Sequence, residues 1–193
     1  MKKLNYLDTQ DLQLIDIRTP NEFQAGHAKD SLNFNPSNFK SFAHHFLSLD
    51  QAIAFVLAEE NPVDVNDLNT LAQEQGYTQI KGYILADEIP AEDCQTSATI
   101  PADEFFIQKD DYTLLDLRNP AEITRPAPEA NLTNIPLEEL AARYQSLDSK
   151  KTIYTLCGSG NRATAAASFL TDKGYHPVVI KGGMKAIQAT IQA

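Results

Sequence analysis

Apolar positions in the second half of the chain fall into short blocks whose spacing switches between strand-like and helix-like. Residues 113–117 form a short apolar run closed by the turn dipeptide Asn119-Pro120, which predicts a strand. Leu137, Leu140 and Tyr144 share one face of a helix predicted over 137–145. Residues 152–156 are β-branched and aromatic and predict the next strand. The alanine-rich stretch 162–173 predicts a helix that ends at Gly174, well placed as a C′ glycine. A strand over 177–180 follows, and Gly182-Gly183 breaks the chain before a last helix. Strands alternating with helices imply an α/β fold, a central parallel sheet with helices on both faces.

The first half repeats this plan about a hundred residues earlier. LIDIR at 14–18 matches LLDLR at 114–118, and at the same spacing Pro20 matches Pro120, Glu22 matches Glu122, Leu32 matches Leu132 and Pro36 matches Pro136. IKG recurs at 80–82 and 180–182, and Gly76-Tyr77 matches Gly174-Tyr175 after a small change of length. A period this long implies a duplicated domain and not a solenoid repeat. The two copies are expected at 1–88 and 97–193. Residues 87–99, with Pro90 and acidic and small polar side chains but no periodicity, read as a linker.

Composition adds bounds rather than detail. Hydrophobic residues make up 42% and charged residues 22% of the chain, as in ordinary globular proteins. No apolar run is long enough to span a bilayer, so no membrane partner is expected. The first residues carry two lysines but then Asp8 and Asp11, unlike a signal peptide, which makes the cytoplasm the default location. The net charge of -10 is uneven: residues 1–93 hold 6 Lys and Arg against 15 Asp and Glu, and residues 94–193 hold 10 against 11. A solvated acidic surface explains this, and a basic protein partner on the N-terminal domain is the sharper alternative. No basic stripe is available for phosphates, so no nucleic acid is expected. The two cysteines, Cys94 and Cys157, sit in unlike contexts and suggest no disulfide framework. No Cys/His cluster has ligand spacing, so no metal is expected, and nothing calls for a cofactor.

The chemistry concentrates in Cys157-Gly158-Ser159-Gly160-Asn161-Arg162, between the strand at 152–156 and the alanine-rich helix. Sites in open parallel sheets lie beyond the carboxyl ends of the strands, where Cys157 falls. A glycine-containing loop can turn its N–H groups towards one centre, and the helix N-terminus adds positive potential. Such a place stabilises an anion, first of all the thiolate, and Arg162 adds a permanent cation. A buried core cysteine is the bland alternative, but Gly158 and Gly160 are poor choices for a segment that merely packs. The phosphate-loop pattern GxxxxGK[ST] is absent.

LCGSGNRATAAASFL resembles the active-site loop and following helix of the rhodanese-like sulfurtransferase family. VIKGGM at 179–184 is similar to that family's trailing strand and glycine pair, and Glu-Phe-Gln-Ala-Gly-His at 22–27 resembles its Gly-His motif. The likeness covers nearly the whole chain in two rhodanese-like copies, each expected to hold a central parallel sheet. It implies that Cys157 is catalytic, taking sulfane sulfur from a donor such as thiosulfate or a persulfide and passing it to a thiol or cyanide. Gly158, Ser159, Gly160, Asn161 and Arg162 would then bind the substrate. The family's phosphatase relatives resemble a C-x5-R loop, whereas four residues separate Cys157 from Arg162 here, which favours sulfur over phosphate.

Both copies depart from the family pattern. Residues 53–62 of the first offer no cysteine; Glu59 and Glu60 bring negative charge and Pro62 lacks an N–H. This copy reads as non-catalytic. The second copy replaces Gly-His with a loop bearing Arg125, Pro126 and Pro128, where Arg125 is a surface residue or a second cation. Asp116 and Arg118, like Asp16 and Arg18, read as structural partners, with Arg118 and Glu122 as candidates for pairing. Cys94 reads as incidental, a sulfur relay being the alternative, and His44-His45 belong to an amphipathic stretch over 39–49. Two other functions stay open: a non-catalytic or redox-sensing binding module, and a phosphatase or arsenate reductase on the same scaffold.

Overall fold

The computed structural model describes residues 1–60, 63–109 and 111–192, which divide into two compact units, Met1–Thr96 and Ser97–Ala193. In the N-terminal unit the elements run β1 (Gln13–Asp16), α1 (Pro20–Ala25), β2 (His27–Ala28), β3 (Leu32–Asn33), α2 (Pro36–Phe46), β4 (Ile53–Leu57), α3 (Val65–Glu74), β5 (Ile80–Leu85) and β6 (Cys94–Gln95). In the C-terminal unit they run β7 (Thr99–Ile100), α4 (Ala102–Phe106), β8 (Tyr112–Asp116), β9 (Leu132–Asn134), α5 (Leu137–Arg143), β10 (Thr152–Leu156), α6 (Asn161–Asp172), β11 (His176–Ile180) and α7 (Gly183–Gln192).

Both units are α/β with parallel sheets flanked by helices. The N-terminal sheet has the order β3-β1-β4-β5, and the C-terminal sheet reads β9-β8-β10-β11-β7 in the same sense. The fifth place in the N-terminal sheet is taken by the first residues, where Tyr83 N–H donates to the Lys2 carbonyl and Leu4 N–H to the Tyr83 carbonyl. The central strand β4 is buried at every position, as a parallel strand covered on both faces must be. In the C-terminal unit Ile100, Phe105, Tyr112, Leu114, Tyr154, Leu156, Met184 and Ile187 form one cluster. On α6, Ala163, Ala165, Ala166 and Ala167 are all buried, their small side chains letting the helix pack closely on β10 and β11. Among the described residues no helix is long and apolar enough to cross a membrane.

Hydrogen-bond register shows which sequence matches are true equivalents. Ile17 N–H donates to the Val56 carbonyl, and Leu117 N–H donates to the Leu156 carbonyl, so the hundred-residue spacing holds at the centre of the sheet. It fails further on. Asp16 pairs with Asn33, whereas Asp116 pairs with Asn134, a slip of one residue. Pro36 therefore corresponds to Leu137, and the matches of Leu32 with Leu132 and Pro36 with Pro136 are coincidental. The IKG match fails too: Gly82 lies inside β5 opposite Ala54, whereas Gly182 lies beyond the end of β11. The Gly76-Tyr77 match is structural, since Gly76 (φ 90°) and Gly174 (φ 79°) both end a helix in the left-handed conformation.

The stretch 87–99 is not a featureless linker. It forms two 3₁₀ turns and β6, which pairs antiparallel with β2 and places Cys94 opposite Ala28. Cys94 is thus a half-buried strand residue packed against the N-terminal core. The amphipathic stretch noted at 39–49 falls largely on α2, which begins earlier, at Pro36, because Asn35 caps it by accepting from Asn38 N–H. That predicted over 137–145 stops at Arg143 and tightens into a 3₁₀ turn, Tyr144–Ser146.

Candidate active site

The site grows from the carboxyl end of β10. Cys157 follows Leu156 directly, is 1% exposed, and lies in a loop that turns back over its own sulfur. Gly160 makes the turn with φ 104°, a left-handed conformation that L side chains resist, and it also caps α6. Its N–H donates to Cys157 Sγ at 3.1 Å. The sulfur therefore lies against the N-terminus of a twelve-residue helix, where the backbone dipoles favour negative charge.

The loop is held from behind by the start of α7. Met184 N–H donates to the Cys157 carbonyl at 2.8 Å and Lys185 N–H to the Gly158 carbonyl at 3.2 Å. In a planar trans peptide the N–H points opposite to the preceding carbonyl. Fixing these two carbonyls towards α7 thus directs the N–H groups of Gly158 and Ser159 away from it. Only glycine fits at 183: its φ is 57°, and a Cβ there would lie 2.4 Å from the Cys157 carbonyl oxygen. The glycine pair after β11 is the socket of the cysteine loop.

Arg162, in the first turn of α6, is half-buried, and a side chain at Gly158 would come within 4.0 Å of its Nη2. That Nη2 pairs with Glu122 Oε1 at 2.5 Å. Burial opposes the guanidinium charge, but the Glu122 hydrogen bond and the charges at Cys157, Glu122 and Glu138 outweigh it and raise its pKa. Ser159 and Asn161 are exposed on the outer rim of the loop. The expected pairing of Arg118 with Glu122 is not formed. Arg118 instead clamps Asp116, with Nη2 to Oδ2 at 2.6 Å and Nε to Oδ1 at 2.9 Å, because the D-x-R spacing at a strand end lets the guanidinium fold back on the carboxylate. Arg18 clamps Asp16 in the same way.

The lost Gly-His has a structural substitute. In the N-terminal unit Arg18 Nη2 donates to the Gly26 carbonyl at 2.7 Å, and His27 is buried and stacked on Phe23. In the C-terminal unit Arg118 Nη1 donates to the Arg125 carbonyl at 3.0 Å, and Ala127 is buried. The Arg125 guanidinium itself donates to Gln188 Oε1 at 2.7 Å. Sequence reasoning missed the Glu122–Arg162 pair, the fit at Gly183, and Asn33 and Asn134, whose amides donate to the backbone carbonyls of the Asp and the Arg in each D-x-R. Asn33 and Asn134 do carry a sequence signal, since they match once the repeat slips by one residue.

In the N-terminal unit the position of Cys157 is held by Leu57, which is fully buried. α3 starts at Val65, several residues beyond, and its first N–H groups are already taken, since Asp64 Oδ1 accepts from Asn66 and Asp67. Glu59 and Glu60 are exposed nearby, and Pro62 lies outside the described residues. Among the described residues no group of three or more His, Cys, Asp or Glu side chains is arranged to hold a metal ion.

A model of the rhodanese-like domain matches residues 3–85 and again 104–190. The chain belongs to the rhodanese-like family. Its two family matches fall one in each unit. No curated protein matches the sequence. Among solved rhodanese structures, a rhodanese-related protein from Thermoplasma volcanium is 33% identical over 48% of this chain and 91% of its own, with a TM-score of 0.45. A thiosulfate sulfurtransferase from Pseudomonas aeruginosa is 15% identical over 97% of this chain and 41% of its own, with a TM-score of 0.42. An NAD-dependent persulfide reductase from A. fulgidus is 27% identical over 46% of this chain and 15% of its own, with a TM-score of 0.39.

Proposed function

We propose that the C-terminal unit is a sulfurtransferase in which Cys157 carries sulfur as a persulfide, and that the N-terminal unit is its non-catalytic copy. The observation that carries this is the hydrogen bond from Gly160 N–H to Cys157 Sγ, at a helix N-terminus and within a loop whose carbonyls are turned away. A thiolate there attacks the sulfane sulfur of a donor. The new bond joins Sγ to that sulfur, the donor's sulfur–sulfur bond breaks, and the leaving group departs with the electron pair. An acceptor thiolate or cyanide then attacks the outer sulfur, and Cys157 is regenerated as a thiolate. Loop N–H groups, with Arg162 beside them, stabilise the negative charge that moves between these partners. Asp116 and Arg118 hold the end of β8 and act on structure rather than on substrate. Leu57 in place of a nucleophile, and a helix start already occupied by Asp64, support an inert N-terminal copy.

Mass spectrometry after incubation with thiosulfate or a persulfide tests the reading. The full chain gains one sulfur at Cys157, and Cys157→Ser gains none and turns over no donor. Transfer that survives in Cys157→Ser refutes it, as does cysteine-dependent turnover of an aryl phosphate without any sulfur loading.

A further inference from the structure

The cation beside the nucleophile already carries a carboxylate partner. Arg162 Nη2 lies 2.5 Å from Glu122 Oε1. A second carboxylate, Glu138, is held close by, with Asn119 Nδ2 donating to its Oε1 at 2.9 Å, and its charge acts on Arg162 as well. With Cys157 ionised, this mouth gathers three negative charges around one guanidinium. In the N-terminal copy the equivalent Glu22 closes a capping box with Thr19, whereas position 119 is Asn, whose side-chain Oδ1 accepts from Ala121 N–H, so no such box engages Glu122. That leaves Glu122 turned to Arg162.

We infer that Glu122 is a specificity-determining residue that sets the class of sulfur donor, selecting against dianions such as thiosulfate and for hydropersulfides carrying no more than one negative charge. The inference rests on the sulfur-transfer reading of Cys157. With thiosulfate, the thiolate and the dianion bring three negative charges to the sulfur–sulfur bond; Sγ bonds to the sulfane sulfur, sulfite leaves with the electron pair, and Cys157 ends as a persulfide anion. With a hydropersulfide R–S–S–H, the thiolate brings the only full charge. Sγ bonds to the outer sulfur, which keeps its proton, and R–S⁻ leaves with the electron pair. A dianion must displace Glu122 from Arg162 or sit against its carboxylate, whereas the neutral donor does neither. Glu122 is 43% exposed, so the effect is partly screened by solvent and salt.

The test compares the full chain with Glu122→Gln, using thiosulfate and the hydropersulfide of 2-mercaptoethanol as donors and cyanide as acceptor. For thiosulfate, kcat/KM rises about ten-fold, roughly 1.4 kcal/mol, mostly through KM, and the gain shrinks in 1 M salt. For the hydropersulfide the change stays within about two-fold, and Glu122→Asp stays close to the parent on both donors. Equal changes on both donors, no change, or a loss on thiosulfate overturns the inference. Calorimetric titration of thiosulfate into Cys157→Ser, with and without Glu122→Gln, separates the two claims. Tighter thiosulfate binding without Glu122, together with no sulfur loading at Cys157 in the parent chain, sinks the function and keeps the electrostatic role. Sulfur loading with unaltered donor preference and unaltered binding sinks the role of Glu122 alone.

Discussion

Replacing Gly183 by alanine asks whether the start of α7 shapes the cysteine loop. The new Cβ would lie 2.4 Å from the Cys157 carbonyl oxygen and 3.1 Å from the Gly158 carbon and oxygen, all backbone atoms that no rotamer change can clear. The loop and the helix must part by roughly an ångström to restore van der Waals contact. That separation breaks the 2.8 Å bond from Met184 N–H and the 3.2 Å bond from Lys185 N–H. Two backbone hydrogen bonds contribute about 0.5–1.5 kcal/mol each, and an alanine held at φ 57° costs about 1–2 kcal/mol more. The expected loss is about 2–5 kcal/mol, a large part of the stability of a domain this size. Gly174→Ala is the control: its φ is 79° but no atom lies within 4 Å of the added Cβ, so only the backbone strain of about 1–2 kcal/mol applies. Urea unfolding followed by circular dichroism, with hydrogen exchange to assign the transition to the C-terminal unit, measures both. Sulfur loading at Cys157 drops at least about ten-fold in Gly183→Ala and is retained in Gly174→Ala. If the two variants lose the same stability and both keep full loading, α7 does not hold the loop.

Asp116→Ala strands the buried Arg118 guanidinium, which is 6% exposed, and should cost about 3–5 kcal/mol; a shift in urea midpoint worth less than about 1 kcal/mol would show that water or a neighbouring carbonyl replaces the carboxylate. Burial lowers the pKa of His27 below its ordinary value near 6.5. Between the lowered value and 6.5 the unfolded chain binds a proton that the folded chain does not. Stability of the N-terminal unit is therefore full above about pH 6.5 and falls as the pH drops towards the folded-state value. Urea midpoints taken from pH 7.5 to pH 5 should show this slope in the parent and a flatter one in His27→Phe; equal slopes would remove His27 as its cause.

Much of the fold was legible because its signals are local. The strand at 152–156 and the helix over 162–173 are recovered to within a residue as β10 and α6, since β-branched and alanine-rich runs dictate their own geometry. The glycine ends at Gly76 and Gly174 were equally readable. The stretch 87–99 was misread because β6 is stabilised by its partner β2, far earlier in the chain, and two-residue strands have no periodicity of their own.

From the sequence alone came the duplication and the parallel α/β plan, together with the proposals that Cys157 is the nucleophile and that the first copy carries no chemistry. Each depends on residue types at short range. Tertiary structure decided the rest: Arg162 is engaged by Glu122, which sequence proximity had offered to Arg118, and the Cys157 carbonyl is fixed by Met184 in a helix beyond the next strand. Ion pairs and loop carbonyls choose partners by distance in space, which spacing along the chain does not encode.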